Sequence, residues 1–320
     1  MTARTRAWAC AVAACLVLAS CSSPDTSPQP SQPSGPTFEG TYSATFGPRT
    51  TVQGDEVPGT TVTVKWVARS SCADTGCVAA ATEVGPPDAE DPRPPTMVFD
   101  TVDGRWVSVR EVPSQCTTPK GAPIDVQGWQ AYSLEPRPDG TLVGTYTNRS
   151  SVGGACHNST QSVTLTRTGD TDPDVDVDDP AAQPPRVSSP GSALWGDYVQ
   201  TQTNPQTGQV YPQATYVGNT QCLRTGDRCL SYLVEPNTAA LLVLTFADGR
   251  WTSTSAPDDA PCEDGGPGTS VLAGEFALPQ PVPDPIIALS GTQRTVRTGA
   301  CPGELTLDVR LDRTGDGPGR

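Results

Sequence analysis

The side chains able to do chemistry here are few in kind: one histidine, 35 carboxylates, 11 cysteines and 6 tryptophans in 320 residues. A Ser-His-Asp relay would have to use His157, the single imidazole, and no Gly-x-Ser-x-Gly elbow surrounds any serine. No P-loop and no Gly-x-Gly-x-x-Gly turn follows a strand-like run, so no cofactor is expected. The carboxylates could supply a hydrolase with its acid and base. They gather instead in turns and linkers, as at Asp258-Asp259 and Glu263-Asp264, where solvation is their plain role. Asp170, Asp172, Asp174, Asp176, Asp178 and Asp179 superficially suggest calcium. An EF-hand loop needs a Gly at its sixth position and a Glu at its twelfth, and both are missing, so no metal is expected. A formal charge of −14 argues against nucleic acid as a partner.

What the cysteines do depends on the compartment, and residues 1–21, MTARTRAWACAVAACLVLASC, address that question. Arg4 and Arg6 precede an apolar run of 13 residues, Ala7 to Ala19, too short to span a bilayer and typical of a secretory signal. Leu18-Ala19-Ser20-Cys21 resembles the bacterial lipobox. That resemblance implies cleavage after residue 20 and acylation of Cys21, with palmitate-type chains holding the protein to the membrane on its extracytoplasmic face. Residues 21–37, rich in Pro and Ser, have too little apolar surface to order the chain and read as a tether.

Beyond the tether the chain repeats itself. Gly40-Thr41-Tyr42 returns as Gly196-Asp197-Tyr198, Trp66-Val67 as Tyr216-Val217, and Asp103-Gly104-Arg105-Trp106 as Asp248-Gly249-Arg250-Trp251. Arg167-Thr168-Gly169-Asp170 returns as Arg313-Thr314-Gly315-Asp316, with a further Arg-Thr-Gly-Asp at 224–227 out of register. Two related domains follow, 38–170 and 194–316, joined by an acidic, Pro-rich linker at 171–193 and ending in a short tail at 317–320. Within each copy apolar residues alternate, as at Val62, Val64 and Trp66 or at Leu305, Leu307, Val309 and Leu311, and Asp-Gly pairs sit between such runs. About eight short strands per copy are expected, starting near 39, 60, 77, 96, 105, 129, 141 and 160 in the first. The fold class is therefore all-β: two tandem antiparallel meanders, each a small lipocalin-like barrel, with a sandwich as the alternative.

Eight cysteines remain in the exported part, four per copy: Cys72, Cys77, Cys116 and Cys156, then Cys222, Cys229, Cys262 and Cys301. Even numbers outside the cytoplasm read as disulfides, and the near-pair spacings are loose for a Cys₄ zinc site. Four cysteines allow three pairings. We expect Cys72–Cys77 and Cys222–Cys229 to clamp hairpins, with Cys116–Cys156 and Cys262–Cys301 as longer links. Loop entropy assigns roughly 2 kcal/mol to the short closures and roughly 4 to the long ones. His157 follows Cys156, but its counterpart is Pro302, so it belongs to no shared site. Trp66, Trp106, Trp129, Trp195 and Trp251 are expected in the core, the other reading being a cavity lining; Trp129 has no counterpart in the second copy.

Arg exceeds Lys by 19 to 2, and Ala, Gly, Pro and Asp abound. Together with the lipobox and the two four-Cys units, these features resemble an actinobacterial cell-envelope lipoprotein. The units, with Gly-Thr-Tyr near the start and Asp-Gly-Arg-Trp midway, also resemble extracellular modules of actinobacterial lipoproteins and some receptor-type kinases. The function implied is a non-enzymatic binding or interaction module anchored through Cys21 at the cell membrane. Its partner would be an envelope polymer, a protein or a small apolar ligand. One alternative is a carrier of an apolar small molecule inside a barrel, and another is a carboxylate-dependent hydrolase; the ligand-binding residues are not defined by sequence.

Overall fold

The computed structural model describes residues 37–317, apart from 53, 75, 86–95, 118–120, 122, 154–157 and 239. The signal segment, Cys21, Cys156 and His157 thus lie outside the described residues. The strands are β1 (Gly40–Phe46), β2 (Arg49–Thr51), β3 (Glu56–Val57), β4 (Val62–Ala73), β5 (Gly76–Val84), β6 (Met97–Val102), β7 (Arg105–Thr117), β8 (Pro123–Pro136), β9 (Leu142–Ser150) and β10 (Ser159–Gly169). They continue with β11 (Gly196–Thr203), β12 (Ala214–Cys222), β13 (Cys229–Val234), β14 (Leu241–Ala247), β15 (Arg250–Thr254), β16 (Asp258–Asp259), β17 (Gly268–Ala277), β18 (Ala288–Gly299) and β19 (Gly303–Gly315).

These strands build two closed eight-stranded antiparallel barrels. The first runs β1-β4-β5-β6-β7-β8-β9-β10 and closes as β10 pairs with β1; the β2–β3 ribbon hangs from β10. The second runs β11-β12-β13-β14-β15-β17-β18-β19 and closes as β19 pairs with β11. Closure pairs each of the eight barrel strands on both sides, and the period of two then sends alternate side chains inward. Along β1, Gly40, Tyr42, Ala44 and Phe46 are buried and the residues between them are not. The expected start of the sixth strand, near 129, moves back to Pro123. There β7 and β8 stay paired from Trp106↔Leu134 out to Thr117↔Pro123. Leu305 continues the inward pattern of β19 yet is 38% exposed, because it lies near the free end of the β18–β19 hairpin.

The repeated motifs all serve one end of each barrel. In the first, Arg167 donates from Nε to the Glu39 carbonyl (3.1 Å) and from Nη2 to Asp170 (2.8 Å), and the Tyr42 hydroxyl donates to the same carbonyl (3.2 Å). In the second, Arg313 makes the same pair of bonds to the Trp195 carbonyl (3.1 Å) and Asp316 (2.6 Å), and the Tyr198 hydroxyl also reaches the Trp195 carbonyl (3.2 Å). This clasp pins the last strand to the first. A side chain at Gly40 or Gly196, both at positive φ, would put its Cβ 2.6 Å from Arg167 Nε or 2.5 Å from the Gly315 carbonyl. Asp103-Gly104 and Asp248-Gly249 turn with all four φ angles positive, as a tight hairpin requires, and each delivers a fully buried tryptophan, Trp106 or Trp251.

The segment 171–193 reads as a solvated linker, and its acids are indeed mostly exposed. The sequence Asp174-Val175-Asp176-Val177-Asp178 alternates, however, and the valines pack on Val67, Ala80 and Val84 of the first barrel while Thr82 donates to the Asp176 carbonyl. Further along, Ser189 is buried beside Cys229 of the second barrel. The linker is therefore a strap laid across both barrels.

The barrels also meet directly. Trp129, fully buried on the outer face of β8, packs with Leu230, Tyr232 and Val243 of the second barrel, which is why β13 is buried on both faces. Asp100 accepts two bonds from Arg224 (2.8 and 3.2 Å) with Arg186 of the strap at 3.5 Å, and Glu111 pairs with Arg228 at 2.6 Å. The out-of-register Arg-Thr-Gly-Asp at 224–227 thus makes an inter-barrel ion pair, a role different from that of its two look-alikes.

Candidate functional site

Below the mouth, the first barrel is filled. Phe38, Tyr42, Trp66, Phe99 and Trp106 are buried and packed ring on ring, Phe38 edge to face with Tyr42 and Phe99 and the two tryptophans tilted, with centroids 5.2–6.2 Å apart along the series. At the opposite end from the clasp, the interior opens into a mouth of about 450 Å³. Its floor is Phe46, Tyr132 and Tyr146, the two tyrosine rings 4.7 Å apart, and its rim holds Glu83, Arg110, Gln130 and Gln161. Arg110 donates from Nε to Gln130 Oε1 (2.8 Å), and Gln161 donates to the Gly47 carbonyl (2.9 Å).

Strand parity explains how these polar groups come to face inward. Arg110 shares a face of β7 with Trp106 and Ser108, and Glu83 shares a face of β5 with Ala79 and Ala81. A charge on the apolar parity of a strand is the signal that could have found the mouth from sequence. Burial holds the Tyr132 and Tyr146 phenols well above the usual tyrosine range; Glu83 adds to that and Arg110 opposes it. Both phenols are therefore neutral and able to donate or accept. A guanidinium, a carboxylate, two amides and two phenols above an aromatic floor suit a small ligand carrying both donors and acceptors.

The second barrel opens at the same end, into a mouth of about 520 Å³ lined by Gln200, Gln202, Gln293, Ser253 and Tyr216. Gln202 donates to Gln293 Oε1 at 2.7 Å, and the buried Ser253 hydroxyl has no partner among the described residues. Asp258 is the one carboxylate in its lining, as Glu83 is in the first.

Of the residues singled out in sequence, Cys72–Cys77, Cys222–Cys229 and Cys262–Cys301 are disulfides. The first two join residues directly opposite in their hairpins. Cys116 is disulfide-bonded as well. None of these lines the first mouth. Trp66, Trp106 and Trp251 are core, Trp129 is at the barrel–barrel contact, and Trp195 stacks under the Arg313 guanidinium at 4.6 Å. Asp172 accepts from Lys65 (2.8 Å), and Asp179 caps a short turn. Among the described residues, no group of three His, Cys, Asp or Glu is placed to hold a metal ion.

The first half is thus a small closed β-barrel with one open mouth, and it is this half that resembles known proteins. Residues 35–182 match the family of the PknI serine/threonine-protein kinase sensor domain. The serine/threonine-protein kinases PknI of Mycobacterium tuberculosis and Mycobacterium bovis are 36% identical to this chain over 130 residues, 37% of this chain and 22% of theirs. The chain thus spans about a fifth of the length of these relatives. The solved monomer form of the M. tuberculosis PknI sensor domain aligns at 27% identity with a TM-score of 0.36, covering 46% of this chain and 97% of that one. Its dimer form aligns at 29% identity with a TM-score of 0.33, covering 41% and 85%.

Proposed function

We propose that this chain is an exported, lipid-anchored, non-enzymatic binding module that senses a small polar ligand at the mouth of its first barrel. The observation that carries the reading is Arg110, held by Gln130 and facing inward above Tyr132 and Tyr146. The family match supports it, since it is to a sensor domain and falls on the residues that form β1 to β10. The aromatic filling below the mouth weighs against a carrier that swallows an apolar tail. One carboxylate per mouth falls short of the pair that a carboxylate-dependent glycosidase uses. The ligand suited to such a rim is a polar fragment of the envelope, such as a glycan or peptide piece, in reach of a protein tethered through Cys21.

Native mass spectrometry of the full chain purified from the envelope tests the site. The wild type should retain a small molecule that Arg110→Met loses, with near-ultraviolet circular dichroism unchanged. Retention unaffected by Arg110→Met, or no retained molecule at all, would remove the reading. The anchor has a separate test: radiolabelled palmitate should enter the wild type and not Cys21→Ser.

A further inference from the structure

We infer that the cleft between the two barrels is a second binding site, for the free carboxylate of a short peptide-like acid, with Arg149 as its anchor. The cleft has a volume of about 450 Å³, within the range of small-ligand pockets, and both barrels contribute to it. Arg149 stands on β9 with its guanidinium 5.3 Å from the ring centre of Tyr232 on β13. Its Nη1 donates to the carbonyls of Ser159 (2.6 Å) and Asn148 (3.4 Å), and its Nη2 to the Thr160 hydroxyl (2.9 Å).

All three acceptors are neutral oxygens. Among the described residues no carboxylate pairs with Arg149, and the Nε–H and the second Nη2–H have no acceptor. Every other buried or half-buried inter-barrel cation described above, Arg224, Arg186 and Arg228, meets an acid. Burial lowers the Arg149 pKa, yet a guanidinium stays charged, so the cation sits in the cleft with neutral oxygens and the Tyr232 ring around it and no counter-ion among the described residues. A carboxylate supplies the missing charge and accepts from a guanidinium through two oxygens at once.

A second, independent observation points the same way. Tyr232 lines the cleft, is only 7% exposed, and its hydroxyl has no hydrogen-bond partner among the described residues. A buried phenol without a partner is costly, and a ligand oxygen would satisfy it. The remaining lining fixes the class of ligand. Asn219 and Gln221 present amides suited to a peptide group, and Val52, Leu230 and Val234 offer apolar walls for a small side chain. Glu235 lies three residues along from Tyr232, roughly 10 Å away by strand geometry, where it would meet the amide or ammonium end and not the carboxylate.

The test is calorimetric titration of the full chain in detergent with N-acetylalanine and with N-acetylalaninamide, which lacks only the charge. The acid should bind at least about tenfold more tightly than the amide, the size of one charge-assisted pair. Arg149→Gln should abolish that preference, Arg149→Lys should keep part of it, and Arg110→Met, at the separate mouth, should leave it intact. Equal binding of acid and amide, no binding of either to the wild type, or a preference surviving Arg149→Gln would overturn the site. If Arg149→Gln does not fold, the acid–amide comparison on the wild type decides alone. Loss of the preference in Arg110→Met would place the acid at the mouth and also overturn it.

Discussion

The two barrels are alike at one end and unlike at the other. At the closed end the same parts recur: the Arg167 or Arg313 clasp, the Asp-Gly turn and a tryptophan buried beneath it. At the open end the first barrel shows Arg110, Glu83 and two phenols, whereas the second shows glutamines and a serine. Duplication has therefore preserved what closes a barrel and changed what a barrel displays. Linking two copies here does not double one site. It joins a mouth that holds a guanidinium and a carboxylate to one whose single charged lining residue is Asp258, and creates between them a cleft that neither copy has alone.

The largest effects should come from the shared end. Trp106→Ala and Trp251→Ala should each cost about 3–5 kcal/mol, as deletion of a large buried aromatic does. Urea denaturation should show one transition in both variants, because Trp129 and Asp100 couple the barrels across a buried contact. Two separated transitions would mean that the copies fold as strangers.

Asp100→Ala should come next, at about 2–3 kcal/mol, since it strands Arg224, 15% exposed, without its acid. Part of that charge is screened by solvent, which keeps the loss at the lower end of the range for buried pairs. A cost near zero would show that apolar packing alone holds the barrels together.

A smaller difference sits under the repeated tryptophans. Trp251 Nε1 donates to Ser231 Oγ at 3.3 Å, whereas Trp106 Nε1 is buried with no partner among the described residues. Counting from Cys77 and Cys229, which begin equivalent strands, Ala79 occupies the place of Ser231. Ser231→Ala should cost about 1–2 kcal/mol, and Ala79→Ser should stabilise the first barrel by up to about 1 kcal/mol. Thermal melts of the two variants read this directly; destabilisation by Ala79→Ser would show that the equivalence stops at the backbone.

The smallest effect is a dependence on pH. Burial holds the Glu111 carboxyl above its ordinary 4.5, with Arg228 opposing and Asp227 adding to the rise. A raised folded pKa means that this group's contribution is present at low pH and is lost as pH rises through the raised value. Relative to the wild type, Glu111→Gln should therefore gain stability as pH climbs through and above the ordinary Glu range. A relative loss over that window would show that the ion pair with Arg228 outweighs burial.

Much of the closed end was legible in the sequence because it is local. Asp-Gly between apolar runs specifies a turn, Cys72 and Cys77 lie close along the chain, and the alternation of β1 or β19 needs no distant partner to be seen. Trp129 was noticed for lacking a counterpart, but its role was not readable. It faces outward on β8 and is buried only because the second barrel packs on it. The strap was read for its charge, and the valines between the aspartates, two residues apart on one side of an extended chain, were the missed sign. Arg110 and Glu83 went unremarked because an isolated charge looks like surface until the strand's parity assigns it to the interior.

The sequence by itself determined that the chain beyond residue 37 is duplicated, all-β and cross-linked by cysteine, because turn residues, strand period and cysteine spacing act over a few residues. Only the tertiary structure decided where its concave surfaces lie. The first mouth draws on β1, β2, β4, β5, β7, β8, β9 and β10, which come together only when the sheet closes. The cleft of Arg149 and Tyr232 exists only when one barrel docks on the other. Those contacts span long stretches of chain and depend on register and closure.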